Sequence, residues 1–146
     1  MKKLFIALLA SAALYQAAAA EGEWLTDFTK ATQKAKAENK LVLMDFTGSD
    51  WCPPCKALYK NVLSSAEFVE YAKSNLILVE VDFPTSKKQS EELKKANEAL
   101  QTKFNVDGYP TIIVLDSNGK ELSRDSGYAG EKPKEFIAKI EALKKK

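Results

Sequence analysis

Two stretches of this chain, "KLVLMDFTG" at 40–48 and "NLILVEVDF" at 75–83, are almost continuously apolar and only of strand length. Side chains alternate between the two faces of a strand, so apolar residues at successive positions mean that both faces are buried. Strands of that kind belong to a central sheet covered by helices on both sides. The intervening segment fits this reading. Residues 52–63 read as a helix, and Ser64 with Glu67 form a capping box for another helical segment reaching about Lys73. Strand, helical crossover and strand make a right-handed βαβ unit with parallel pairing.

The flanking regions extend the pattern. Over 24–38, Trp24, Leu25, Phe28, Ala31 and Ala35 recur at helical spacing, with Asn39 as a stop. Ser86 with Gln89 predicts a cap for a charged helix running to about Phe104. Its apolar stripe is Leu93, Ala96, Leu100 and Phe104, and its Lys and Glu residues form a solvated face. "YPTIIVLDSNGKELSRDSG", 109–127, reads as two strands about an Asn118–Gly119 turn. A last helix starts at Pro133, a favoured first helical position, and is packed down by Phe136, Ile137, Ile140 and Leu143. Lys144 to Lys146 suit its C-terminal dipole. The predicted fold class is α/β, a mixed sheet of about four strands flanked by helices. No repeat or linker divides residues 21–146, which therefore read as a single domain.

The N-terminus bears on compartment. Lys2 and Lys3 precede an apolar run from Leu4 to Leu14, and Ala18-Ala19-Ala20 supply a small-residue cleavage site. That is the pattern of a secretory signal peptide, cleaved after Ala20. Tyr15 and Gln16 interrupt the run before it reaches the roughly 20 residues of a spanning helix. A bacterial-type signal directs the product to the periplasm, with the medium as the second destination. The 22 basic residues include Lys2 and Lys3, so the remainder balances the 20 acidic ones. A neutral chain gives no electrostatic reason to expect nucleic acid as a partner. There is no histidine, which excludes Ser-His-Asp and Cys-His catalysis and removes the commonest transition-metal ligand.

Chemistry then rests on "DWCPPCKALY", 50–59, which holds both cysteines, Cys52 and Cys55. A disulfide closing so short a ring stabilises by only about 2 kcal/mol, against about 3 for a 15-residue loop, so a structural staple explains little. Structural zinc wants four ligands, and two cysteines without histidine do not supply them. A Cu(I) carrier using two thiolates stays open as an alternative. A redox pair explains more. Cys52 follows a buried strand that ends at Gly48 and opens a helix at the C-terminal edge of the sheet, where sites in open α/β sheets lie. There, unpaired N–H groups and the macrodipole favour a thiolate, the attacking species. Pro53 and Pro54 are tolerated because the first helical N–H groups have no intrahelical partner to lose. Cys55, one turn further in, is placed to resolve a mixed disulfide on Cys52.

"DFTGSDWCPPCK", then "GYPT" at 108–111, then a hairpin and a terminal helix, resemble the thioredoxin-like superfamily, in particular its small secreted members with a TGSDWC-type site. The resemblance spans roughly residues 24–143 and implies a thiol–disulfide oxidoreductase with no cofactor and no metal. It makes Cys52 the nucleophile, Cys55 the resolving thiol and Trp51 an aromatic wall. It makes Pro110 a cis-proline facing the disulfide, with the Tyr109 backbone and the Pro53–Pro54 rim meeting the substrate chain. Asp45 matches the family's buried carboxylate, with one more residue before the first cysteine than usual. Burial raises such a group's pKa and suits it to accept the Cys55 proton, while an equal alternative is a structural bond to a backbone donor.

Three departures accompany the match. The lysine that commonly accompanies the aspartate falls on Leu78. Residues 84–97 read as an insertion. Little sequence precedes Trp24 for a first strand, so four strands are expected rather than five. Strong oxidants of the family carry His between the cysteines, so Pro-Pro argues for a reductase-leaning protein. An oxidase or isomerase, or a non-catalytic binding module, is the competing assignment. The partners implied are protein thiols and disulfides and a membrane-embedded thiol reductant. With no second domain for dimerisation, a monomer is expected.

Overall fold

The computed structural model of the chain describes residues 22–145, so the predicted leader and its cleavage point lie outside the described residues, as does Lys146. The elements are β1 (Trp24–Leu25), α1 (Phe28–Glu38), β2 (Leu41–Thr47), α2 (Pro53–Leu58), a π-helical turn (Tyr59–Leu63), α3 (Ala66–Asn75), β3 (Leu76–Asp82), α4 (Glu91–Lys103), β4 (Thr111–Leu115), β5 (Glu121–Ser126) and α5 (Pro133–Leu143). They build one five-stranded sheet in the order β1-β3-β2-β4-β5. The β1–β3 and β2–β3 pairs are parallel, and β2–β4 and β4–β5 are antiparallel.

The two apolar runs behave as their composition dictates. Val42, Met44, Phe46, Val79 and Val81 point to one face and join Ala31 and Ala35 of α1, Leu100 of α4 and Phe104 at its C-cap. Leu43, Leu76 and Leu78 point to the other face and join Leu58, Val62, Phe68, Phe136 and Ile140 from the helices opposite. Burying a side chain of this size contributes roughly 1.5–3 kcal/mol, so β2 and β3 anchor both layers.

The fifth strand corrects the expected four. Trp24 and Leu25, read above as the start of a helix, instead pair with Leu78 and Val79 of β3. The cause is Asp27, an extended residue whose carboxylate accepts from Lys30 N at 3.0 Å, so α1 starts only at Phe28. Asn39 ends α1 in the left-handed conformation at φ 52, as its stop signal predicts.

Two caps also move. The π-helical turn ends with Ser64 N donating to Tyr59 O at 2.8 Å, leaving Ser65 to cap α3 by accepting from Phe68 N. Helix α4 begins at Glu91 under the Ser90 cap, not at Ser86. The Ser86 amide is held elsewhere, as described below. The Asn118–Gly119 turn forms, with Gly119 at φ +86 where a side chain would be strained. Asp116 closes it by accepting from Asn118 N and Lys120 N, each at 2.9 Å. Among the described residues no helix is long and apolar enough to cross a membrane.

Candidate active site

Strand β2 delivers the chain to Gly48, and a tight turn follows in which Cys52 N donates to Gly48 O at 2.9 Å. A Cβ on Gly48 would lie 2.4 Å from the Trp51 ring, so only glycine lets that indole fold back over the turn. The Trp51 Nε1–H donates to Phe83 O at 2.7 Å and fixes the ring. Cys52 is the N-cap residue of α2, with Pro53 and Pro54 in the first turn. Neither proline has an N–H, so the first donor available to the cap is Cys55 N, which reaches Cys52 Sγ at 3.3 Å. The two cysteines form a disulfide with Cα atoms 5.3 Å apart. Both are buried, whereas Pro53, Pro54, Trp51 and Tyr59 line the exposed rim around them.

The second loop of the site comes from between α4 and β4. The Tyr109–Pro110 bond is cis, and Pro110 is buried. Tyr109 sets its ring edge-on to Trp51 at 5.9 Å between centroids and 5.2 Å from Phe83. Its hydroxyl accepts from Gln101 Nε2 at 2.7 Å, and burial pushes the phenol upward. The second loop thus meets the cysteine turn through Tyr109, whose ring packs against Trp51, the residue before Cys52.

Asp45 lies beneath that surface. It is buried, and its Oδ1 has no hydrogen-bond partner, which leaves its backbone-bonded alternative without support at that oxygen. Burial pushes its carboxyl up to about 7, with Glu80 and Asp82 adding like-charge repulsion. A cavity of about 390 Å³ joins it to Cys55, with Asp45, Lys56, Tyr59, Glu80 and Lys87 among its other walls. Leu78, where the family's lysine is absent, is buried in the core. The cations at this cavity, Lys56 and Lys87, come from α2 and from the loop after β3 instead.

Residues 84–97 are only partly helix. The loop ahead of α4 is bound to the active-site turn by Asp50, whose carboxylate accepts from Thr85 N at 2.9 Å, Ser86 N at 2.6 Å and Lys87 N at 2.9 Å. Ser49 donates to Asp82 from its amide at 2.9 Å and from its hydroxyl, while Lys87 Nζ donates to Ser49 Oγ at 3.0 Å. The Thr85 amide, followed by those of Lys87 and Ser86, holds the Asp50 carboxyl down to about 2. Its favourable contribution is thus present above the usual Asp range and is lost as pH falls through about 2. Asp50→Asn is expected to speed amide hydrogen exchange at 85–87 while leaving the β2–β3 amides protected, read residue by residue by NMR. Unchanged exchange at 85–87 would contradict the clamp.

Sequence reasoning missed Asp50, Glu80 and Lys87. The signal for Glu80 was present, since it is the charged break inside "NLILVEVDF" on the side-chain face shared with Leu78 and Asp82. Asp50 carries no comparable signal, because its partners are main-chain amides some 35 residues away.

A family profile described as a thioredoxin-like domain matches residues 28–144. The chain belongs to the thioredoxin-like family. A protein of Chlamydia pneumoniae called disulfide bond reductase DsbH is 34% identical over 128 residues, covering 88% of this chain and 76% of that one. A solved structure of a DsbH oxidoreductase shares the thioredoxin-like fold with a TM-score of 0.79 and 31% identity, covering 85% of each chain. A thiol:disulfide interchange protein DsbD of Pseudoalteromonas atlantica is 32% identical over 99 residues, 68% of this chain but only 15% of that much longer protein.

Proposed function

We propose that this protein is an exported thiol–disulfide oxidoreductase that works mainly in the reducing direction on protein disulfides. The class follows from a cysteine pair at the C-terminal edge of a thioredoxin-like sheet, and the relatives carry reductase and interchange names. The direction rests on one observation. Both positions between the cysteines are prolines, so the Cys52 sulfur has the single Cys55 N–H as its local donor and no imidazolium beside it. Potential follows from how strongly the reduced thiolate is held, and a weakly held thiolate makes the dithiol the better reductant.

In the reaction, the Cys52 thiolate attacks one sulfur of a substrate disulfide. A Cys52–substrate disulfide forms and the other substrate sulfur leaves as a thiolate. Cys55 then gives its proton to Asp45, attacks Cys52 Sγ and displaces the second substrate thiolate. Two electrons pass from the cysteine pair to the substrate, whose thiolates take up protons from water. Trp51, Tyr109, Pro53 and Pro54 supply the surface on which the substrate chain lies, and Pro110 faces the disulfide. Cleavage after Ala20 releases 21–146 as a monomer in the periplasm, where a membrane-embedded thiol reductant must return the electrons. The test is a reduction potential measured against glutathione or dithiothreitol. A value near about −270 mV is expected, and one near about −120 mV would make the protein an oxidant.

A further inference from the structure

Asp45 must lose the proton it takes from Cys55 before the next cycle, yet it is buried with an unpartnered oxygen. The neighbouring strand offers a route. In the parallel β2–β3 pair Asp45 stands in register with Glu80, so the two side chains project to the same face. Both line the cavity that holds Cys55. Glu80 also lines a second cavity, of about 310 Å³, whose walls include Thr26, Asp82, Lys88, Gln89 and Ser90. Strand β1 makes that second opening. Its pairing stops at Leu25 opposite Val79, one residue short of Glu80, so the edge of β3 away from β2 is unpaired there.

We infer that Glu80 is a positioning residue that acts through Asp45, exchanging the Cys55 proton between the buried carboxyl and the second cavity. This rests on the oxidoreductase reading. The step is a proton transfer alone. Asp45, protonated by Cys55, passes its proton to the Glu80 carboxylate, and Glu80 releases it to water, so both acids end ionised and no electron moves. The groups facing Glu80 fit this use. Asp45 stands beside it on β2 and Asp82 on its own strand, Cys55, Lys56 and Tyr59 face the shared cavity from α2 and the π-helical turn, and Lys87 and Lys88 come from the loop. Burial raises the Glu80 carboxyl, Asp82 raises it further and Lys87 opposes them.

The experiment is stopped-flow reaction of the reduced protein with Ellman's reagent across pH 5–9. Attack by Cys52 releases the first thionitrobenzoate, and resolution by Cys55 releases the second. In Glu80→Gln the first phase should keep its rate. The second should slow about tenfold at pH 7, and its midpoint should fall by about 1 unit because a like charge beside Asp45 is gone. Glu80→Asp should restore most of the second phase. Lys87→Met leaves Glu80 in place and should move the second-phase midpoint upward, which decides the matter if the glutamine variant does not fold. Superimposable second phases in wild type and Glu80→Gln, or equal slowing of both phases, would overturn the role of Glu80 alone. A wild type that never releases the second thionitrobenzoate would overturn the oxidoreductase reading itself.

Discussion

Cys52→Ser is expected to lower disulfide reduction to the uncatalysed rate, whereas Cys55→Ala should retain the first half of the reaction and stall. The asymmetry comes from position. Cys52 is the N-cap of α2, where its sulfur receives the Cys55 N–H, while Cys55 is a turn further in and faces the Asp45 cavity. A hydroxyl in place of the Cys52 thiol is a poor nucleophile at neutral pH, and the one thiol left, Cys55, is buried a turn further in and out of reach of a substrate disulfide. With Cys55 gone, attack proceeds but nothing displaces the substrate. The variant should therefore accumulate a stoichiometric mixed disulfide, visible as an added mass that dithiothreitol removes. Insulin reduction measures the first variant and intact mass spectrometry the second. Substantial turnover by Cys52→Ser, or a Cys55→Ala variant that carries no substrate, would remove Cys52 from the role assigned to it.

A second large effect is expected on stability and depends on pH. The Asp45 carboxyl is raised from 3.8 to about 7, first by burial and then by Glu80 and Asp82. Its protonated form is therefore favoured in the folded state. The resulting contribution to stability is fully present below the unfolded value and is lost as pH rises through about 7. A shift of that size corresponds to about 4 kcal/mol. Asp45→Asn removes the charge but leaves an amide in a site without partners, at a cost of about 1–3 kcal/mol. The oxidised variant should therefore be more stable than the wild type at pH 8 by about 1–3 kcal/mol, and no more stable at pH 3. Urea denaturation at the two pH values measures the difference. Resolution by Cys55 should meanwhile slow by about 10²-fold, the range for a lost general base. Equal stability differences at both pH values would show that folding does not raise the Asp45 carboxyl.

Much of this was written in local patterns. The apolar runs at 41–47 and 76–82 gave the two central strands because their composition leaves no solvent-facing side. Cys52 sits at the start of α2 because two prolines tolerate only the first turn of a helix. The misplacements share a physical origin in contacts between distant segments. Trp24 and Leu25 have helical spacing, yet β3 recruits them as a strand. Ser86 has the composition of a cap, yet Asp50 takes its amide and defers the helix to Ser90. Asp45 was recognisable as a buried carboxylate, but its like-charged neighbours became apparent only once β3 was laid beside β2 in register.

The way Asp50 grips 85–87 has a further consequence. It holds peptide amides and not the side chains of Ser86 and Lys87, so the grip itself does not depend on which residues occupy those two positions. A loop anchored through its main chain beside a reactive centre can be rewritten without loosening its mooring. Exchanging residues 86 and 88 while keeping Lys87, whose side chain lines the Asp45 cavity, should therefore leave both the mooring and the sulfur chemistry intact, which makes those two positions the natural handle for altering the surface beside the site.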